Sequence, residues 1–112
     1  MPGTSKYEVK ISNYAFGNLQ EIYHYIAFID FKPLTAADVV SSIENKILID
    51  IPNFPFYFPE CPARRTKRKL YRQATCKNYK IIFRVDFETI SIIGIVHSSR
   101  SKSFIKRIPT KS

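Results

Sequence analysis

Tryptophan is absent from this sequence, and cysteine, histidine and glycine are rare, with two, two and three copies among 112 residues. Cys61 and Cys76 lack the spacing of a zinc motif, and two cysteines with two histidines predict no structural metal site. Because the first residues carry no export signal, we expect both cysteines to be free thiols.

Long apolar segments are also missing. No run approaches the roughly 20 apolar residues that a membrane-spanning helix needs, and residues 1–10 lack the apolar segment of a signal peptide. We therefore expect a cytoplasmic protein with no membrane contact. A length of 112 residues and a hydrophobic fraction of 45% predict one folded domain over residues 1–112, with flexible ends at about 1–5 and 108–112.

Acidic residues are scarce in the second half of the chain. Residues 1–60 carry four lysines and seven acidic residues, whereas residues 61–112 carry fourteen lysines or arginines against only Asp86 and Glu88. This asymmetry predicts a near-neutral scaffold joined to a positively charged surface, which attracts a polyanion or an acidic protein. The alternative is a solvated surface whose charge only keeps the protein soluble.

The chain begins with the pattern of a strand followed by a helix. Residues 6–12 alternate between apolar and polar side chains, as in a half-buried strand. From about residue 14 the apolar residues follow helical spacing, and Ser12 or Asn13 is the predicted cap. This helix must end before Pro33, because the residue before a proline is disfavoured in the helical conformation.

A second helical pattern follows, with Thr35 as the predicted N-cap and an apolar stripe over residues 36–51. The connection between the two helices is short, so we expect an antiparallel helical hairpin. Four prolines then interrupt regular structure over residues 52–62, where four aromatic side chains also lie. This segment is either a packed loop that covers the edge of the core or an aromatic platform on which bases stack.

The second half predicts three strands, at about residues 68–75, 79–86 and 89–98. Residues 90–96 are apolar on both faces, as is typical of a central strand. The predicted fold class is α+β: a small antiparallel sheet with the N-terminal helical hairpin packed on one face, in the order β-α-α-β-β-β. The opposite face of the sheet is expected to be polar and uncovered.

The predicted strand register assigns basic residues to this uncovered face. A two-residue turn at 87–88 places Lys80 opposite Ile95, so that Lys80, Arg84 and His97 share the face. The turn before the middle strand leaves the register open. Depending on this register, the uncovered face also contains either Arg68, Leu70 and Arg72 or Lys69, Tyr71 and Gln73. Arg100 follows His97 by three residues and is expected to curl over the same surface.

Several stretches have a distinctive order and spacing, although none is specific alone. They include Lys-Asn-Tyr-Lys-Ile-Ile-Phe-Arg-Val-Asp at residues 77–86 and Ile-Ile-Gly-Ile-Val-His-Ser-Ser-Arg at residues 92–100. Further matching segments are residues 7–15, 25–26 with Pro33, 43–55 and 71–72. On these stretches the chain resembles the RelE/ParE superfamily, the toxins of type II toxin–antitoxin pairs. The fold of that family is a helical hairpin on an antiparallel sheet, which agrees with the patterns above.

The resemblance implies a growth-inhibiting toxin that a cognate antitoxin holds inactive. RelE-like members cut messenger RNA in the ribosomal A site without a metal, and ParE-like members poison DNA gyrase. We expect ribosome-dependent mRNA cleavage by a metal-independent endoribonuclease without a cofactor. A gyrase inhibitor with no chemistry of its own is the alternative, and a nucleic-acid-binding domain without toxicity is a third. The antitoxin is expected to be acidic or to carry an amphipathic segment.

For RNA cleavage we expect Lys80, His97 and Arg100 to be the catalytic residues. Lys80 stands where RelE-like enzymes often carry an arginine, and the guanidinium of Arg100 suits a phosphate. His97 is the candidate for acid–base chemistry near neutral pH, or else a strand-end histidine bonded to the backbone. Phe104 departs from the family pattern, because it cannot transfer a proton where a tyrosine or histidine is expected. The residues expected to bind nucleic acid are Arg64, Arg65, Lys67, Arg68, Lys69, Arg72 and Arg84.

Overall fold

The computed structural model describes residues 7–64 and 70–109. The elements are β1 (Glu8–Ile11), α1 (Asn13–His24), α2 (Pro33–Asn45), α3 (Ile51–Asn53), β2 (Tyr71–Cys76), β3 (Tyr79–Asp86), β4 (Thr89–His97) and α4 (Lys102–Lys106). α1 and α2 continue into π-helical turns at Tyr25–Ile29 and Lys46–Asp50, and 3-10 turns occupy Pro55–Tyr57 and Pro62–Arg64. The predicted α+β fold class and helical hairpin are confirmed. The structure adds two short helices, α3 after the hairpin and α4 after the last strand.

The four strands form one sheet in the order β1-β4-β3-β2, so β4 is central, as predicted. Two-residue turns join β2 to β3 and β3 to β4 as antiparallel hairpins. The first residue of each turn, Lys77 and Phe87, has a positive φ, as turns that match the strand twist require. β1 pairs with β4 in parallel. The prediction of a wholly antiparallel sheet was wrong for this pair, because the period-2 pattern is the same for parallel and antiparallel strands.

The two long helices begin differently. The Ser12 hydroxyl accepts a hydrogen bond from the Ala15 N–H at 3.0 Å and donates one to the Ile93 carbonyl at 3.2 Å, which confirms the predicted cap and ties α1 to the sheet. α2 starts at Pro33, before the predicted cap Thr35, and no side chain of residues 7–64 or 70–109 caps it. Thr35 was wrong as the N-cap because proline at the first helical position supplies a helical φ and has no N–H to satisfy.

The helical hairpin buries one face of the sheet in the main core. Phe83 is the largest fully buried side chain there, and the ring of Phe58 packs against it edge-on at 6.0 Å between centroids. The other core residues with no exposed surface come from α1, α2, the segment after α2 and the strands: Ala15, Ala36, Ile43, Ile47, Ile51, Ala74, Ile81, Ile90 and Ile92.

The opposite face of the sheet is covered, and the predicted bare polar face is wrong. A second apolar cluster fills it, built by the strands, the turn at Pro62–Arg64 and α4. Ile105 and Ile108 after β4 are each 3% exposed and pack into this cluster. The remaining buried members of this cluster are Cys61, Ala63, Tyr71, Ile82, Ile93 and Val96.

A β-bulge in β4 changes which side chains share a face. The register shifts between Ile82 and Phe83, so that Ile82 lies opposite Gly94 and Phe83 opposite Ile92. Ile93 is the extra residue. Lys80 consequently lies opposite Val96, and the predicted pairing of Lys80 with Ile95 is wrong by one residue.

Gly94 makes the close approach of Ile108 possible. A Cβ at Gly94 would lie 3.0 Å from Ile108 Cδ1 and 3.2 Å from its Cγ2. We expect Gly94→Ala to lower the free energy of unfolding by about 1–2 kcal/mol, because the Ile108 side chain must move away from β4. Gly17→Ala is the matched control: its Cβ meets nothing within 4 Å, and alanine favours α1 by up to about 1 kcal/mol. Urea unfolding of both variants measures the difference, and equal stabilities would contradict this packing.

Cys61 and Cys76 are both free and buried, as expected for thiols. Burial raises the pKa of each thiol. The backbone N–H groups of Ala63 and Arg64 oppose that shift only in part at Cys61, and Lys46 and Lys77 oppose it only in part at Cys76. Within the part of the chain that the structure describes, no helix is long and apolar enough to span a bilayer.

Candidate functional site

Two predicted site residues, Lys80 and Arg84, lie on β3 on the face that α4 covers. The Arg84 guanidinium donates to the Asp86 carboxylate and, at 3.3 Å, to the Tyr71 hydroxyl. Burial acts against the charge, but these two partners outweigh it and raise the pKa of Arg84. Arg84 is therefore committed to contacts within the chain, whereas Lys80 has no ion pair among residues 7–64 and 70–109.

Arg72 lies on the other face. It pairs with Phe83 across β2 and β3, its Nη1 donates to the Phe58 carbonyl at 2.7 Å, and its guanidinium stacks on Phe56 at 5.1 Å. The observed two-residue turn puts Tyr71 and Gln73 on the face of Lys80, as in one of the two sets that the sequence left open, and places Thr75 directly opposite Lys80.

Arg64 is buried beneath α4. Its Nη1 donates to the carbonyls of Ile105 at 2.9 Å and Lys106 at 3.1 Å, and its guanidinium lies over the Tyr71 ring at 5.1 Å. Nucleic acid would reach this guanidinium only if α4 moved. Four further residues predicted to bind nucleic acid lie outside the described residues: Arg65, Lys67, Arg68 and Lys69.

The proline-rich segment is a packed loop that also carries exposed aromatic rings. Pro55 is buried and Phe58 packs on Phe83, as in a loop that covers the core. Phe54, Phe56 and Tyr57 are nevertheless 68%, 61% and 83% exposed. The segment is fixed by its buried members, and base stacking on the exposed rings stays a prediction.

His97 stands at the end of β4 on the helix side of the sheet, away from Lys80. The bulge causes this, because it moves His97 opposite Tyr79, whose ring it meets edge-on at 5.4 Å. The Ser99 N–H donates to His97 Nδ1 at 3.1 Å, and the Ser99 hydroxyl lies 2.7 Å from the same atom. An Nδ1 that accepts a backbone N–H leaves the proton of the neutral ring on Nε2.

Arg100 stays close to His97 through the backbone. Its N–H donates to the His97 carbonyl at 3.0 Å, and its guanidinium lies over the Phe104 ring, 4.5 Å from the centroid. No carboxylate in the described parts of the chain forms an ion pair with Arg100. The structure therefore brings two of the three predicted catalytic residues together and leaves Lys80 on the other face.

His97 and Arg100 line a cleft of about 890 Å³ between α1 and the end of β4. Glu21 lines its α1 wall, and Ile22, Val96 and Phe104 supply apolar surface. This cleft could not be predicted from the sequence, because no pattern predicts a contact between its α1 residues and the end of β4. Among residues 7–64 and 70–109, no group of three His, Cys, Asp or Glu is placed to hold a metal ion.

The cleft runs along the edge of β4 beyond the end of β1. β1 makes its last contact where the Ser12 N–H donates to the Ile92 carbonyl, and β4 continues for five more residues. Asn18 Oδ1 accepts from the Ile95 N–H at 2.9 Å, so residue 95 faces the cleft. Strand alternation then points the Ile95 carbonyl and the His97 N–H into the cleft as well.

This arrangement defines a class of protein: a small α+β domain with a helical hairpin on one face of a four-stranded mixed sheet. Its solved relatives in fold include the chromosomal ParDE toxin–antitoxin system of P. aeruginosa, with a TM-score of 0.65 and 22% identity over 84% of this chain and 98% of that one. The RelBE2 toxin–antitoxin complex of Mycobacterium tuberculosis aligns with a TM-score of 0.58 and 16% identity over 87% and 99% of the two chains.

The sequence family is more specific than the fold. Residues 9–102 match the model of the ParE toxin of type II toxin–antitoxin system, parDE. The chain belongs to this family, and with it to the RelE/ParE superfamily of toxins. A search of curated protein sequences found no match.

Proposed function

We propose that this type II toxin stops growth by binding DNA gyrase, as ParE-like toxins do. The observation that carries the proposal is the separation of the predicted catalytic residues: Lys80 lies on the face under α4, and His97 with Arg100 lies in the cleft beside α1. The match of residues 9–102 to ParE toxins supports the same mechanism. Inhibition by binding needs no assembled acid–base set.

RNA cleavage sets a stricter demand. It needs a base for the 2′-hydroxyl, a cation at the phosphate and an acid for the leaving oxygen, all within reach of one reacting centre. The face that carries Lys80 and Arg84 is filled by α4, and Arg84 is already paired with Asp86. Phe104, next to Arg100, offers no proton. These features favour a binding function over cleavage.

The cognate antitoxin is the second partner in the proposal. The two solved relatives belong to toxin–antitoxin systems, and this chain has a net charge of +9 concentrated in its second half. A segment of opposite charge would gain both affinity and association rate from that field. We therefore propose an antitoxin with an acidic or amphipathic segment that holds the toxin inactive.

Ribosome-dependent mRNA cleavage is the second candidate, because His97 and Arg100 share one cleft. In that mechanism His97 would transfer protons and Arg100 would hold the phosphate. Loss of cleavage in His97→Gln, with the protein still folded, would be the signature. Unchanged RNA cleavage in this variant would remove the acid–base role of His97.

The proposal predicts a direct effect on gyrase. Purified toxin added to gyrase with relaxed plasmid is expected to stop supercoiling and trap cleaved DNA, and added antitoxin is expected to restore activity. In cells, conditional expression should induce DNA breaks before transcripts are lost. Mapped RNA ends at ribosomal A sites, with supercoiling unaffected by the purified toxin, would overturn gyrase as the target and favour the second candidate.

A further inference from the structure

The proline-rich segment after α3 holds three aromatic rings in solvent. Phe54, Phe56 and Tyr57 form this aromatic platform, and each of them is more exposed than buried. Their backbone is hydrogen-bonded: the Phe54 N–H donates to the Asp50 carbonyl at 3.0 Å, and the Tyr57 N–H donates to the Phe54 carbonyl at 3.1 Å. Three exposed rings within four residues make an apolar surface patch of the kind that marks a binding site.

The aromatic platform is anchored to the edge of the sheet. The Phe58 ring packs on Phe83 in the core, and the Phe58 carbonyl accepts a hydrogen bond from Arg72 at 2.7 Å. The Gln73 N–H of β2 donates to the Pro59 carbonyl at 2.9 Å. Because the segment is already fixed in the free protein, a ligand that stacks on its rings loses little affinity to the ordering of this loop.

Cations lie beside these rings. The Arg72 guanidinium lies over the Phe56 ring at 5.1 Å from the centroid. The Lys46 ammonium lies over the Phe58 ring at 5.9 Å and pairs with Asp50 at 3.4 Å. In the sequence beyond them, residues 61–112 carry fourteen basic residues against two acids. A polyanion is attracted by this charge, and flat groups on it can stack on the rings and on the guanidinium plane.

A single strand of nucleic acid combines the two properties that this surface matches. Its phosphates are negatively charged, and each of its bases has a π-face that can stack on an aromatic side chain. In a duplex the bases stack on one another, so the rings favour a single strand. The aromatic platform lies beside β2, and β1 forms the opposite edge of the sheet. The platform is therefore separate from the cleft that contains His97 and Arg100.

We propose that the aromatic platform binds single-stranded DNA, with bases stacked on its three rings and phosphates attracted by the positive charge of residues 61–112. The choice of DNA over RNA rests on the proposed function, because gyrase acts on DNA. The stacking itself is independent of that function, because an aromatic face does not read the 2′-hydroxyl. A toxin that holds DNA in this way is concentrated where its target works.

The test compares two oligonucleotides of equal charge, a labelled thymidine strand of about 15 nucleotides and an abasic strand with the same phosphates. In fluorescence anisotropy, the wild-type protein is expected to bind the thymidine strand about 10- to 100-fold more tightly. The double variant Phe54→Ala/Tyr57→Ala is expected to lose this preference with its salt dependence unchanged, because the rings neutralise no phosphate. Phe87→Ala removes a fully exposed ring at the β3–β4 turn and is expected to keep the preference. Circular dichroism checks that both variants remain folded.

Equal affinity of the wild type for the two strands would overturn the proposal, as would a preference that the double variant keeps or that Phe87→Ala loses to the same extent. Tighter binding of a uridine RNA strand than of the thymidine strand would overturn the choice of DNA and assign the rings to RNA. The binding assay contains no gyrase. A protein that prefers the thymidine strand but leaves supercoiling intact would therefore contradict the proposed function alone, and one that inhibits gyrase without this preference would contradict the present inference alone.

Discussion

Replacing Phe83 with alanine is expected to lower the free energy of unfolding by about 3–5 kcal/mol, the cost of an emptied aromatic site in a core. Phe83 has no exposed surface and lies between the helical hairpin and the sheet. Its edge contact with Phe58 at 6.0 Å adds about 0.5–1.5 kcal/mol beyond burial. Since domains of this size are stable by about 5–15 kcal/mol, the variant should be largely unfolded at moderate urea concentrations.

Phe87→Ala is the matched control for this loss. Phe87→Ala removes the same atoms, but Phe87 is fully exposed at the β3–β4 turn. The substitution should therefore change the free energy of unfolding by no more than about 0.5 kcal/mol. Urea titrations followed by circular dichroism give both values, because the chain contains no tryptophan to report by fluorescence. A loss below about 2 kcal/mol in Phe83→Ala would mean that the site collapses around the smaller side chain.

The contrast between these two phenylalanines shows how far the fold could be predicted from sequence. Alternation of apolar residues placed Phe83 on the buried face and turn spacing placed Phe87 at the hairpin tip. The same periodicity found both helices and the central strand. The prediction of Thr35 as the N-cap of α2 was wrong, because the missing N–H of Pro33 makes a side-chain cap unnecessary at the start of this helix.

The site was harder to predict, and one residue is the reason. The extra residue Ile93 inverts the alternation of β4, so Ile95 and His97 move to the helix face while Val96 joins Lys80. An all-apolar run carries no alternation that could reveal a bulge. The predicted cluster of Lys80, Arg84 and His97 therefore separated, while the local link between His97 and Arg100 survived because it spans only three residues.

Three other basic residues are engaged in hydrogen bonds within the chain. Sequence alone counted Arg64, Arg72 and Arg84 as solvent-facing cations. In the structure each donates to a group of the chain itself: Arg64 to carbonyls of α4, Arg72 to the Phe58 carbonyl and Arg84 to Asp86. Charge counting cannot distinguish an arginine that holds the fold from one that meets a partner. Arg100 makes no such polar contact with its side chain among the residues described, so it retains its capacity for a ligand.

Arg64→Ala is expected to lower the free energy of unfolding by about 3 kcal/mol, since a hydrogen bond to a charged group contributes about 1.5–3 kcal/mol and this guanidinium makes two. Both go to the last carbonyls of α4, where a cation is also favoured by the helix dipole. The burial of the Arg64 charge opposes the stabilisation that these hydrogen bonds provide. Among the described residues, no carboxylate pairs with Arg64 and no group hydrogen-bonds to its Nε. We expect the hydrogen bonds to dominate, because within the described residues they are the polar contacts that hold α4 to the turn at Pro62–Arg64.

Two further variants separate these opposing effects. Arg64→Met keeps most of the packing against Tyr71 and removes the buried charge, so its loss should be smaller than that of Arg64→Ala. Arg107→Ala removes an exposed arginine just after α4 and should change stability by no more than about 0.5 kcal/mol. Hydrogen exchange of the Ile105 amide should accelerate in Arg64→Ala alone, as α4 detaches from the sheet. If Arg64→Ala behaved like Arg107→Ala in both measurements, apolar packing by Ile105 and Ile108 would suffice to hold α4, and Arg64 would contribute no anchor.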